Sequence, residues 1–99
     1  MLGLGEDGHI ASLFPHGRGL TTASTCIGVQ DAPKPPPRRT SLTLRVINAA
    51  QRRLVVTTGA AKAGAVARTL AAPDDATPAS LLHPQMTTLI CDRAARGDV

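Results

Sequence analysis

The sequence predicts an α/β fold, the second half of a doubly wound, mostly parallel sheet, with residues 1–99 as a partial domain whose N-terminal half is missing. Three observations lead there. Apolar strand candidates alternate with helix candidates over short connections, the pattern of crossover units. Two of the strands run into glycine turns that open directly onto a helix candidate. Only three strong strands are visible, the first beginning at residue 1, whereas a parallel sheet needs several strands and cover on both faces.

The elements follow in order. Residues 1–5, MLGLG, are the tail of a buried strand entering a glycine turn. Residues 9–14, HIASLF, are expected to form a short apolar helix, N-capped by Asp7 and stopped by Pro15. Residues 16–25 are rich in Gly, Thr and Ser and are expected to be loop, and 26–29 a short strand. Residues 31–39 contain Pro33, Pro35, Pro36 and Pro37 and are expected to be extended. Residues 40–44 alternate as a strand, and 46–50 make one or two helical turns. The strongest strand is 53–58, RLVVTT, β-branched and closed by Gly59. A helix is expected over about 60–72, with Ala63, Val66, Ala67 and Leu70 on one buried face, ended by Pro73. Residues 78–82 are a short helix with Pro at its start, 86–91 a last strand, and Asp92 the cap of a final helical stub.

Composition narrows the function. Hydrophobic residues make up 42% and charged residues 18%, a globular balance, and Phe14 is the single aromatic side chain. The core must come from Leu, Val, Ile and Ala. No apolar run approaches the ~20 residues of a membrane span, and MLGLGEDGH has no signal-peptide pattern, so no membrane partner is expected. Cys26 and Cys91 form no CxxC pair and fit reduced thiols of a cytoplasmic protein. Net charge is +4, with nine Arg against Lys34 and Lys62. The doublets Arg38-Arg39 and Arg52-Arg53 make no continuous patch, and no aromatic interleaving or finger motif supports nucleic acid. Surface solvation and capture of a small anion remain as their uses.

Three segments could carry chemistry. Gly5-Glu6-Asp7-Gly8-His9 lies where a strand ends and a helix is expected, the place where open α/β sheets bind ligands. Gly5 and Gly8 permit a tight turn and close approach of a ligand. His9 at a helix N-terminus would stay neutral, as a general base must. Asp7 either orients the imidazole or holds a polar group of the ligand. Gly59-Ala60-Ala61-Lys62 is a second strand-to-helix turn, suited either to a phosphate on free amides paired with Lys62 or to an exposed lysine. Lys34-Pro35-Pro36-Pro37-Arg38-Arg39 is a stiffened loop presenting cations, suited either to bidentate capture of a phosphate or carboxylate by arginine or to a solvated basic surface. No His, Cys and Asp spacing forms a metal-ligand set.

These segments together resemble the 6-phosphogluconolactonase family. The matching pieces are LGLGEDGHIASLFP at 2–15, KPPPRRTSLTL at 34–44, INAA at 47–50, VVTTGAAKA at 55–63, PASLL at 78–82 and LICDRAA at 89–95. The resemblance implies the Rossmann-like fold of the glucosamine-6-phosphate isomerase superfamily. It also implies hydrolysis of 6-phospho-D-glucono-1,5-lactone to 6-phospho-D-gluconate in the oxidative pentose phosphate pathway, without cofactor or metal. By this resemblance His9 is the base for the attacking water, while Arg39 and Lys62 hold the phosphate or neighbouring oxygens. Arg38 departs from the acidic residue often found there, and His16-Gly17-Arg18 is atypical after the FP pair. The family's N-terminal strands and phosphate loop have no counterpart, so a separate chain or a lost segment is expected to supply them. Residues 1–99 alone are then expected to be unstable and inactive. Glucosamine-6-phosphate deaminase is the runner-up, but residues 11–15 lack the carboxylate of its ring-opening segment. A non-catalytic remnant is the third reading.

Overall fold

The structure, a computed structural model, describes residues 1–97. Its centre is a parallel three-stranded sheet in the order β1 (Leu2–Gly3), β4 (Arg53–Thr57), β5 (Thr87–Cys91). Leu2 stands beside Val55, and Val55 beside Leu89. Strand periodicity therefore puts these three side chains on one face. There Leu4, Val55, Ile10, Leu13, Ile47, Ala65, Val66, Ala79, Leu82 and Ala95 form one buried core, against which Leu2 and Leu89 pack. The other face carries Gly3, Leu54, Val56, Thr88 and Ile90. It stays open, with Leu54 39% and Ile90 48% exposed.

A second, antiparallel pair joins β2 (Cys26–Val29) to β3 (Arg39–Leu42), with Cys26 opposite Leu42 and Val29 opposite Arg39. The proline loop is the connection of this hairpin. It is not the straight extended segment expected: it bends through Pro33–Pro37, and the Ala32 N–H closes it onto the Pro37 carbonyl at 3.0 Å. Strand β3 ends at Leu42, two residues earlier than expected. Thr43 is fully buried, and its hydroxyl donates to the Ser24 carbonyl at 2.7 Å. Helix α1 (Leu44–Asn48) therefore starts early.

Three other expectations are corrected. Residues 9–14 are not a helix: Ala11 has a φ of +49°, and Ile10 and Leu13 face each other across a tight turn. Six residues before a proline close too few i→i−4 bonds to repay helix nucleation. The turn instead buries both Ile10 and Leu13. The helix expected over 60–72 is a 3-10 turn, Ala60–Lys62, followed by α2 (Ala63–Leu70). The tighter winding of that turn rotates the helix, so the buried face is Ala65 and Val66, while Ala67 and Leu70 face solvent. The segment expected as a helix over 78–82 is a 3-10 turn, Pro78–Leu81.

Arg53 is a further correction. It was expected on the surface or on an anion, yet it is only 5% exposed. Its guanidinium donates to the carbonyls of Asn48 (3.0 Å), Ala50 (2.9 Å), His83 (3.3 Å) and Gln85 (2.6 Å), and to the Thr87 hydroxyl (2.8 Å). This satisfaction makes its burial tolerable. The expected Asp92 cap is present: its carboxylate accepts from the Ala95 N–H at 2.8 Å and starts α3 (Arg93–Arg96). No helix among the described residues is long and apolar enough to cross a membrane.

Candidate active site

Strands β1 and β4 are parallel neighbours, so the turns that follow them lie side by side at their C-terminal ends. The first turn is a closed loop. The Gly5 N–H donates to the His9 carbonyl (2.9 Å), and the Gly8 N–H to the Gly5 carbonyl (2.9 Å). Three elements clamp it from outside. The Lys62 ammonium donates to the Leu4 carbonyl (2.5 Å), the Arg68 guanidinium to the Glu6 backbone carbonyl (2.7 Å), and the Ala79 N–H to the Gly8 carbonyl (3.0 Å).

Inside this loop the His9 Nδ1 lies 2.6 Å from the Asp7 Oδ1, which also accepts from the His9 backbone N–H at 3.1 Å. A carboxylate only accepts, so Nδ1 carries the proton and Nε2 is left as the basic nitrogen. Asp7 is therefore not a helix cap, and no helix dipole acts on His9. Partial burial alone would raise the Asp7 pKa. The hydrogen bonds from the His9 ring and backbone, with the ring's charge, outweigh it and hold Asp7 below the ordinary carboxylate value.

The glycines are explained by packing. A Cβ on Gly5 would lie 2.1 Å from the His9 Nδ1 and 2.2 Å from its Cε1, so the imidazole occupies the space a side chain would take. Gly8, at φ +86°, faces Thr77. What lies against Gly5 is thus the imidazole itself, where a ligand's approach was expected.

Lys62 was expected at a phosphate site on its own turn. Its ammonium instead reaches across to the end of β1, beside the Gly5–His9 loop. Arg39 approaches from the hairpin. It donates to the carbonyls of Pro36 (3.0 Å), Lys34 (2.9 Å) and Pro35 (3.3 Å), tying its own proline loop. The structure connects Asp7, His9, Gly5, Gly8 and Lys62 through these bonds, and Arg39 reaches the group through Phe14. Neither that aromatic link nor the Arg68 clamp was foreseen. The one sequence signal for the first was the solitary aromatic in the FP pair. A cleft of about 1040 Å³ opens beside the loop, lined among others by Asp7, Ser12, Phe14, Arg18, Val29 and Asp31. Among the described residues no three His, Cys, Asp or Glu side chains converge as a metal site.

Comparison with known proteins finds relatives of the chain. Residues 1–91 match the family model described as glucosamine-6-phosphate isomerases/6-phosphogluconolactonase. The 6-phosphogluconolactonase of Rattus norvegicus is 42% identical over 90% of this chain and 35% of its own length. That of Streptomyces coelicolor is 45% identical over the whole chain and 39% of its own. The solved 6-phosphogluconolactonase of Leishmania guyanensis superposes with a TM-score of 0.81 at 30% identity, over 99% of this chain and 40% of that one. The chain thus spans well under half the length of these relatives.

Proposed function

We propose a function from one premise: the chain belongs to the family of glucosamine-6-phosphate isomerases and 6-phosphogluconolactonases. Within it, the chain carries the base-bearing part of a 6-phosphogluconolactonase, which hydrolyses 6-phospho-D-glucono-1,5-lactone to 6-phospho-D-gluconate. Relatives of that name support the choice within the family. The observation that carries the chemistry is the Asp7–His9 pair at 2.6 Å, held on a glycine loop at the end of a parallel strand.

In this reading His9 Nε2 takes a proton from water as the water oxygen attacks the lactone carbonyl carbon. Asp7 keeps the proton on Nδ1 and stabilises the imidazolium that forms. The tetrahedral intermediate collapses by breaking the ring C–O bond, and the departing alkoxide takes the proton back from His9. Lys62 and Arg39 bind the phosphate or the oxygens beside it. Lys62 has donors left besides the one given to Leu4, and Arg39, whose Nε and Nη2 tie the proline loop, keeps its Nη1 donors. No cofactor or metal enters these steps. A cytoplasmic setting goes with this reading, since Cys26 and Cys91 are free thiols. The three-stranded sheet with an open apolar face supports reading these residues as part of a larger sheet, completed by the same polypeptide or by a second chain.

The test compares the completed protein, with the rest of the sheet supplied, with its His9→Ala variant after subtracting spontaneous lactone hydrolysis. Turnover is expected to fall about 10²–10⁴-fold, the usual worth of a general base. Turnover equal to that of the unaltered protein would remove His9 from the role. Product binding, followed by NMR at Gly5–His9 and Lys62, reads the same site without turnover.

A further inference from the structure

One hydrogen bond does not fix an imidazole. With only the Nδ1···Oδ1 contact to Asp7, the His9 ring could still swing about that axis and carry Nε2 away from a constant position. The structure supplies a second contact. The Phe14 ring lies with its centroid 4.8 Å from that of His9 and its plane tilted by 43°, within the range in which aromatic pairs attract. Phe14 is itself held. It is 9% exposed and lies in a segment tied to β3 by the Ser12 N–H donating to the Ser41 hydroxyl at 3.1 Å. The Arg39 guanidinium carbon is 5.4 Å from its ring centroid, the cation–π range. Arg39 in turn gathers the carbonyls of Lys34, Pro35 and Pro36. The series runs unbroken from proline loop to Arg39, to Phe14, to His9, to Asp7.

We propose that Phe14, the single aromatic residue of the chain, is a positioning residue. Its ring couples the proline loop, through Arg39, to the orientation of the His9 imidazole. The inference deepens the reading of His9 as the base and rests on it. The physical reason for an aromatic ring at this place is that it can meet two different neighbours. Its π face attracts the guanidinium, and its flat body packs against a second ring, which an aliphatic side chain of similar volume cannot reproduce. A ligand that engages Arg39 would then also set the base, since anything that shifts the guanidinium shifts the ring on which His9 rests. Preorganisation of this kind matters because small misplacements of a base are costly in rate.

The experiment reads the His9 ring directly, by ¹⁵N and ¹³C NMR of the histidine side chain in the full chain at neutral pH. The unaltered protein is expected to show one dominant tautomer, Nδ1–H. Phe14→Leu should convert this into a mixture of tautomers with a mobile ring, and Phe14→Tyr should restore the single form. Arg39→Gln, a change at a half-exposed side chain that leaves the core intact, should loosen the His9 ring when Phe14 is present. It should have no added effect in the Phe14→Leu background. If Phe14→Leu does not fold, Arg39→Gln by itself decides: loss of the dominant tautomer supports the coupling, and an unchanged His9 ring overturns it. Equal effects of Arg39→Gln in both backgrounds also overturn it, because the influence would then bypass Phe14. No arm needs turnover, so the coupling can fail while His9→Ala still identifies the base, and the reverse.

Discussion

The two turns at the ends of β1 and β4 start from similar material and finish differently. Each has a glycine after a parallel strand and a functional side chain a few residues on: Gly5 with His9, Gly59 with Lys62. After Gly59 the chain winds into a 3-10 turn and then α2. After Gly5 it closes on itself and never becomes a helix. The glycines serve opposite needs. Gly59 has φ +97° and open space where a Cβ would go, so its need is conformational. Gly5 has no special φ, and its need is room for the imidazole. One turn is built around backbone shape and the other around a side chain. Lys62, from the turn after β4, then braces the turn after β1 by donating to the Leu4 carbonyl.

The largest effect that would break this contrast is on activity. Gly5→Ala should expel the imidazole and cost about as much as losing the base, roughly 10²–10⁴-fold in lactone turnover. Gly59→Ala should leave the Asp7–His9 pair in place and cost about 1–3 kcal/mol of stability through its φ of +97° and ψ of 148°, a conformation only glycine adopts freely. Side-chain NMR of His9 and thermal unfolding separate the two. Equal loss of the His9 signal in both variants would mean that the turns are not independent.

Next in size is packing. Ile10→Ala and Leu13→Ala should each destabilise by about 2–5 kcal/mol, because both side chains are buried in the closed turn. On the helical side Leu70→Ala should change stability by less than about 0.5 kcal/mol, since Leu70 is 58% exposed. Denaturant midpoints check the pair. A large loss at Leu70 would restore the helix face first expected from the sequence.

Acid should act on both turns, more weakly. Asp7 anchors the first. Asp92 anchors the second by accepting from the Gly59 N–H at 3.1 Å as well as from Ala95. Hydrogen bonds from Ala95 and Gly59 hold the Asp92 carboxyl below its ordinary value, and Asp7 is lowered too. A carboxyl whose pKa is depressed by folding favours the folded state when ionised. That contribution is complete above the unfolded value of about 3.9 and is lost as pH falls through the folded one. Stability should therefore be insensitive to these groups at neutral pH and decline below about pH 4. Asp92→Asn should flatten part of that decline in a pH series of unfolding curves.

The second turn was far more legible in the sequence than the first. A β-branched run closed by glycine and followed by alanines states its structure locally, and the Asp92 cap is equally local. Residues 9–14 do not: their apolar pattern suits a helix, but the partners of Ile10 and Leu13 lie elsewhere in the chain, and Asp7 prefers its neighbour His9 to a cap. The buried face of α2 was misplaced because a 3-10 start is invisible in an alanine-rich stretch. Arg53 was unreadable for a deeper reason. All but one of its acceptors are backbone carbonyls, which carry no sequence signal, so nothing distinguished it from its exposed neighbour Arg52.

That same arginine has a consequence for how the molecule opens. Its partners come from the end of α1 and the residues just after it, from residues 83–85 and from the first residue of β5. Releasing any one segment leaves the buried cation short of acceptors it cannot replace with water, so the segments gain little by separating singly. Amide hydrogen exchange should therefore find Ala49, Ala50 and Thr87 protected to a common free energy and released together, as one cooperative unit, although 37 positions of sequence separate Ala50 from Thr87.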